Sequence, residues 1–215
     1  MSFKFKMFFM LLIVSSNLFA QSDVSSKVIL DAITKKFKTY NVVKTDFTFT
    51  VNNLETKSNE SEVGVLYLKS KANKYKLIFQ NQEILSDGKN QWTYLKADNE
   101  VQLNTVNNDE DALSPSQIFT SFNKGFKSKY NGETKIGKTV YQNIELAPIA
   151  SRSFFKIKMA INKAKSQIYN VHVYNKNGIN YVYTIKNFTP LNIIADSFFV
   201  WDKKKYPNVN LEDLR

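Results

Sequence analysis

The chain has 215 residues, no cysteine, a single histidine, 14% aromatic residues and a formal net charge of +11. Without cysteine it forms no disulfide, thiolate metal site or thiol nucleophile. The positive balance would suit nucleic acid or anionic lipid headgroups, but the lysines are scattered along alternating segments rather than gathered in one tract, the pattern of solvated strand faces.

Residues 1–20 follow the grammar of a secretory signal peptide. Lys4 and Lys6 form a positive start, Met7 to Val14 is an unbroken apolar run, and Asn17-Leu18-Phe19-Ala20 ends on a small residue before Gln21. The run is far shorter than the ~20 residues needed to span a bilayer. Cleavage near Ala20/Gln21 is expected, leaving residues 21–215 as a single domain in an extracytoplasmic space such as the periplasm. Gln21 is not the cysteine that an acyl anchor requires, so the mature form is expected to be free and soluble.

Periodicity predicts one helix from Val24 to Tyr40, where Ile29, Ile33, Phe37 and Tyr40 recur at helical spacing with Asp23, Ser25 and Ser26 available as caps. The period then drops to two. Phe47, Phe49 and Val51 share one face of a strand, VGVLYLK (Val63–Lys69) makes another, and Tyr75 to Phe79 follows. Ile84-Leu85-Ser86 meets Asp87-Gly88, a hairpin signal, and QWTYL (Gln91–Leu95) runs back. Val101 and Leu103 alternate next.

Asn107–Gly125 interrupts this pattern with a helix start. Ser114 can cap, Pro115 suits the first helical position, Gln117 completes a capping box, and Leu113 with Ile118 forms a hydrophobic staple. The helix is short and marginal alone, so its apolar stripe of Ile118, Phe119 and Phe122 must rest on a sheet face, either as ordinary core or as a lid over an apolar cavity.

Alternation resumes in Val140–Leu146, in Phe155, Ile157, Met159 and Ile161, in Ile168–Tyr174 and, after the turn at Asn177-Gly178, in Ile179, Tyr181, Tyr183 and Ile185. Roughly ten short antiparallel strands imply a mainly β fold, curved or barrel-like.

GETKIGKT (Gly132–Thr139) matches the P-loop pattern letter for letter. A P-loop needs a helix after it to receive phosphate on its amides. Here VYQNIEL alternates like a strand, so Gly132 and Gly137 are assigned to a hairpin turn and the match to chance. Catalytic and metal sites have equally little support. His172 sits mid-strand and reads as a structural or surface residue, and Asp109-Glu110-Asp111 lacks the spacing of a calcium loop. No cofactor is expected.

DFTFT (Asp46–Thr50), GVLYLK (Gly64–Lys69), ILSDGKNQWTY (Ile84–Tyr94), LSPSQIF (Leu113–Phe119), FFKIKMAI (Phe154–Ile161) and Asp196-Ser197-Phe198-Phe199 leading to Tyr206-Pro207 occur in an order that resembles the periplasmic outer-membrane lipoprotein carriers of the LolA type. The resemblance implies an unclosed antiparallel β-barrel with an N-terminal helix and an inserted lid helix, acting as a monomeric carrier and not an enzyme. Its cargo would be acylated lipoproteins, received from an ATP-driven release complex in the inner membrane and passed to an outer-membrane acceptor, with no role for nucleic acid. A carrier of another lipid or a pigment precursor, and a lipoprotein-sensing adaptor, are alternatives on the same fold.

By alternation, the face expected to meet the lid residues Leu113, Ile118, Phe119 and Phe122 comprises Phe47, Phe49, Leu66, Leu68, Trp92, Tyr94, Ile157 and Met159. The family's lid-locking arginine is replaced in Lys69-Ser70-Lys71-Ala72, which makes Lys71 the candidate lock.

Overall fold

The computed structural model describes residues 25–106, 117–120, 122 and 124–215. The predicted signal peptide, Leu113, Ser114, Pro115 and the acidic run Asp109–Asp111 lie outside these residues. Helix α1 (Ser26–Phe37) precedes strands β1 (Val42–Asn53), β2 (Ser58–Lys69), β3 (Lys74–Ile78), β4 (Gln82–Ser86), β5 (Asn90–Leu95) and β6 (Glu100–Thr105). Helix α2, described over Gln117–Thr120, leads to β7 (Phe126–Ile136), β8 (Thr139–Pro148), β9 (Phe154–Asn162), β10 (Gln167–Asn175), β11 (Ile179–Leu191) and β12 (Asn210–Asp213).

All twelve strands form one sheet in the order β12-β6-β5-β4-β3-β2-β1-β11-β10-β9-β8-β7. Every neighbour is antiparallel except β12, which runs parallel to β6. Hairpin connections produce two meanders, and the β1–β11 pairing joins them at the middle of the sheet. Side chains from β2 and β3 on one side and from β8 to β10 on the other meet in a single core cluster, so the sheet curves round its own inner face. β7 and β12 remain edges that do not pair among the described residues, and the barrel is open.

α1 lies in this concavity. Ile29, Leu30, Ile33 and Phe37 recur at helical spacing on its buried stripe. Ser25 occupies the cap position but makes no side-chain capping bond, and Ser26 turns its hydroxyl to Ser128 of β7, 2.8 Å away.

Two glycines explain sequence motifs. Gly88 has φ of +93°, and a Cβ there would lie 2.6 Å from the Ala72 carbonyl oxygen, so the SDGK turn requires glycine. The adjacent Asp87 carboxylate accepts hydrogen bonds from the Lys89 and Asn90 amides at 2.8 and 2.7 Å. Burial alone would raise its pKa, but these amides, the Asn90 side chain and the charge of Lys74 bring it below the ordinary carboxylate value.

GETKIGKT lies across the β7–β8 hairpin, with no helix behind it. The expectation for Gly132 needs correction. Only Gly137 serves the turn; Gly132, at φ +80°, sits where the β7–β8 register shifts between Tyr130 and Glu133, a bulge. A second bulge corrects the reading of β9. The β9–β10 register shifts beside Asn175, so Phe154 rather than Phe155 turns inward, at 1% against 49% exposure.

Candidate functional site

β1 and β11 supply the middle of the inner face. Phe47 stands opposite Ile185 and Phe49 opposite Tyr183. The Phe49 ring is 5.0 Å from Tyr183, 5.7 Å from Tyr181 and 6.4 Å from Phe79, and Phe79 meets Phe47 edge-on at 5.7 Å. Leu66, Leu68, Leu77 and Ile84 extend the apolar lining on one side, and Ile144, Ile157 and Met159 on the other.

Gly64 is what lets the Phe47 and Phe79 rings approach the β2 backbone. A Cβ at that position would meet Phe47 Cζ at 2.6 Å and Phe79 Cε1 at 2.9 Å. Glycine in a strand often marks such a close approach, and here two phenyl rings use the vacated space.

The lining is uncharged at neutral pH. Burial, and then the neighbouring Tyr181, push the Tyr183 phenol up to about 12. Burial likewise raises Tyr75 to about 12, against the opposing effect of Ser86, and its hydroxyl donates to Gln91 Oε1 at 2.7 Å. Such a surface, rings and aliphatic chains with few polar atoms, suits long hydrocarbon more than a polar metabolite.

α1 and α2 pack against this inner face. Phe119 stacks on Phe37 at 4.9 Å with the planes 10° apart, and also approaches Phe188 at 6.5 Å. Phe122 meets Phe126 at 5.9 Å, Phe126 stacks on Phe154, and the Arg152 guanidinium lies over both of those rings. Ile118, Phe119 and Phe122 are each about as buried as the sheet residues beneath them.

Of the residues singled out from sequence, Phe47, Leu66, Leu68, Ile118, Phe119, Phe122, Ile157 and Met159 fall in this one cluster, with Phe49 packed against it. Trp92 and Tyr94 do not. They face the opposite, convex side, packed with Leu85, Val101, Leu103, Trp201, Tyr206 and Val209. Trp201 stacks on Tyr206 at 4.5 Å and lies 5.0 Å from Tyr94. The C-terminal segment therefore covers the convex side of β4–β6, and the one-residue choice of face made for β5 is reversed.

That segment is tied down by Asp196, whose carboxylate accepts from Lys69 Nζ at 2.7 Å and Lys74 Nζ at 2.8 Å. These two ammonium groups hold its pKa down at about 2. The GVLYLK and DSFF motifs thus meet in space. Lys71 stands exposed in the 3-10 turn Ser70–Ala72 and makes no hydrogen bond with a described residue. Leu113 lies outside the described residues.

Sequence reasoning missed Phe79, Tyr181 and Tyr183. The alternation of β11 was legible, but not that β11 lies against β1. His172 is half-buried on the convex face, its ring stacked on Tyr174 at 4.0 Å. No group of three or more metal-ligating side chains occurs among the described residues. No described helix is long and apolar enough to cross a membrane.

No curated protein sequence matches the chain. Among solved structures, an uncharacterized conserved protein from Thermus thermophilus is similar in fold, with a TM-score of 0.55 at 14% identity over 87% of this chain and 98% of its own. The Mycobacterium tuberculosis lipoprotein LppX gives 0.49 at 12% identity, covering 79% of this chain and 100% of LppX. A LolA superfamily protein from Nitrosomonas europaea gives 0.44 at 12% identity, covering 83% and 98%. The family model described as outer membrane lipoprotein carrier protein LolA matches residues 38–202, from before β1 to beyond the Asp196 clip. With its curved open sheet, inner apolar face and matching sequence, the chain belongs to the LolA family of outer membrane lipoprotein carrier proteins.

Proposed function

We propose that the protein is a periplasmic carrier that takes the acyl chains of lipoproteins onto its inner face and moves them from the inner to the outer membrane. The observation that carries this reading is the Phe37–Phe119 stack. A side chain of the inserted helix is buried in the apolar cluster of the inner face, where its described contacts are rings, Phe37 and Phe188, rather than backbone pairing with the sheet. Cargo can displace it without unfolding the sheet.

The energetics are suited to hand-off. Burying one sixteen-carbon chain gains roughly 10 kcal/mol gross, at about 0.8 kcal/mol per CH₂. Expelling Ile118, Phe119 and Phe122 from the core offsets part of that gain, so net affinity stays low enough for release. An empty inner face left uncovered would be an aggregation site.

In this reading residues 1–20 are removed on export and 21–215 act as one monomeric domain without catalytic chemistry. Cargo arrives from an ATP-driven inner-membrane release complex and leaves to an outer-membrane acceptor; neither nucleic acid nor a cofactor takes part. Native mass spectrometry of the protein purified from its own periplasm tests the proposal. Co-purifying triacylated polypeptide is the expected result. A free lipid or polyene instead would overturn the lipoprotein assignment while keeping the cavity, and a permanently empty protein would overturn both.

A further inference from the structure

The convex face of β7–β10 has a composition that the inner face does not explain. Its side chains alternate with the core residues of the same strands: Lys127 and Lys129 on β7, Glu145 on β8, Lys156 and Lys158 on β9, His172 and Tyr174 on β10. Across the strands the register sets Lys129 beside Glu145, Glu145 beside Lys158, and Lys158 beside His172, while Lys156 lies beside Tyr174. Four ammonium groups share this face with one carboxylate.

Lys156 and Lys158 form no ion pair with a described residue; their cations rest on rings instead. Lys156 Nζ lies 4.6 Å from the Tyr174 centroid and 5.6 Å from Phe155, and Lys158 Nζ lies 5.7 Å from Tyr174. Burial, and then the charges of Lys158 and Lys156, hold the His172 pKa below its ordinary value, a sign that the positive field here is not neutralised. A depression of about 350 Å³ opens among Asn131, Asn143, Lys158, Asn170 and His172. His172 Nε2 is buried beside it with no hydrogen-bond partner among the described residues. Phe155, 49% exposed, and Ile149, 66% exposed, stand at the start of β9 and in the turn before it.

We propose that this face docks on an anionic phospholipid surface, with Lys127, Lys129, Lys156 and Lys158 supplying the attraction, Phe155 and Ile149 entering the headgroup layer, and the Lys158–His172 depression receiving a lipid phosphate. Charge complementarity selects the occupant: four cations against one carboxylate leave the face positive, and lysines beside exposed apolar side chains are the interfacial combination. An acidic protein would use the lysines and leave Phe155 and Ile149 in water. The proposal stands whether or not the inner face carries acyl chains, because the two faces lie on opposite sides of the sheet.

The test is flotation of the mature protein with phosphatidylcholine vesicles, with and without about 30% phosphatidylglycerol. Binding is expected only with the anionic lipid and is expected to weaken steeply towards about 0.5 M salt. The double variant Lys156→Glu and Lys158→Glu should lower binding roughly tenfold or more, Phe155→Ala should lower it at every salt concentration, and the control Lys203→Glu and Lys204→Glu should leave it intact. If the first pair lowers thermal stability, Lys156→Gln and Lys158→Gln replace it. Failure to bind anionic vesicles, equal losses from both lysine pairs, or full competition by a soluble acidic polypeptide would each overturn the proposal.

Discussion

Phe37 in the first helix and Phe119 in the inserted helix stack nearly face to face, 82 positions apart in the chain, within the core cluster of the inner sheet face. The contact joins the two helices through rings rather than hydrogen bonds, so it is strong only while water is excluded. Phe119→Glu places a carboxylate where no partner awaits it, at a cost of several kcal/mol in the closed arrangement. Moving the inserted helix off the sheet costs less than unfolding the sheet itself. The variant should remain folded by far-ultraviolet circular dichroism, bind a hydrophobic dye strongly and retain acyl cargo poorly. Cooperative loss of the whole fold, with no dye-binding folded state, would show that this helix is fixed core.

Gly64 offers a way to disturb the inner face without touching the helices. In Gly64→Ala the new methyl carbon must displace both Phe47 and Phe79. Forced repacking of this kind typically costs about 1–3 kcal/mol, and the rings would be driven into the space an acyl chain needs. Urea unfolding should register the destabilisation, and fluorescent fatty-acid titration should show weaker binding. Unchanged values in both would mean that the rings do not line the binding surface.

The Asp196 clip has a definite pH signature. Its folded-state pKa is near 2 against an ordinary 3.8, with the Lys69 and Lys74 hydrogen bonds as the main cause. The unfolded chain therefore binds the proton more readily, and any stabilisation is fully present above 3.8 and lost as pH falls towards 2. Carboxyl carbon NMR should find Asp196 ionised well below pH 3.8. Replacing both Lys69 and Lys74 with Met should return it towards the ordinary value; an unshifted titration in that variant would mean that the lysines do not hold it.

Both tryptophans of the chain, Trp92 and Trp201, belong to the convex cluster. Acyl binding on the inner face should leave tryptophan emission in place, whereas truncation before Trp201 should expose Trp92 and shift its emission to the red. A large tryptophan change on cargo binding would indicate that the C-terminal segment moves with loading.

Where the sheet is buried on one face only, alternation identified the correct side chains, as in β1 and in the Ile157, Met159 and Ile161 series. β5 defeated it because both faces carry contacts: Trp92 and Tyr94 are as apolar as lining residues, but the segment that covers them lies more than a hundred positions away. β9 shows a different failure. A bulge at its start exchanges Phe154 for Phe155, and no pattern within the strand announces it. β12 is four exposed residues on an edge and has no apolar periodicity to detect. The proximity of Phe49 to Tyr181 and Tyr183 depends on pairing between strands from opposite halves of the chain, which local periodicity does not encode.

That same pairing sets a timetable for folding. β1 can close against β2 through a short hairpin as soon as both exist, but its other edge waits for β11, and Val42 ultimately faces Leu191. Until then one of the longest strands offers an unsatisfied edge, and closing so distant a contact is slow because the loop entropy must be lost first. A chain with this wiring exposes that edge for longer while it folds, which makes it dependent on protection from aggregation. A circular permutant in which β11 directly precedes β1 should refold faster than the natural order. Equal rates would place the slow step elsewhere in the sheet.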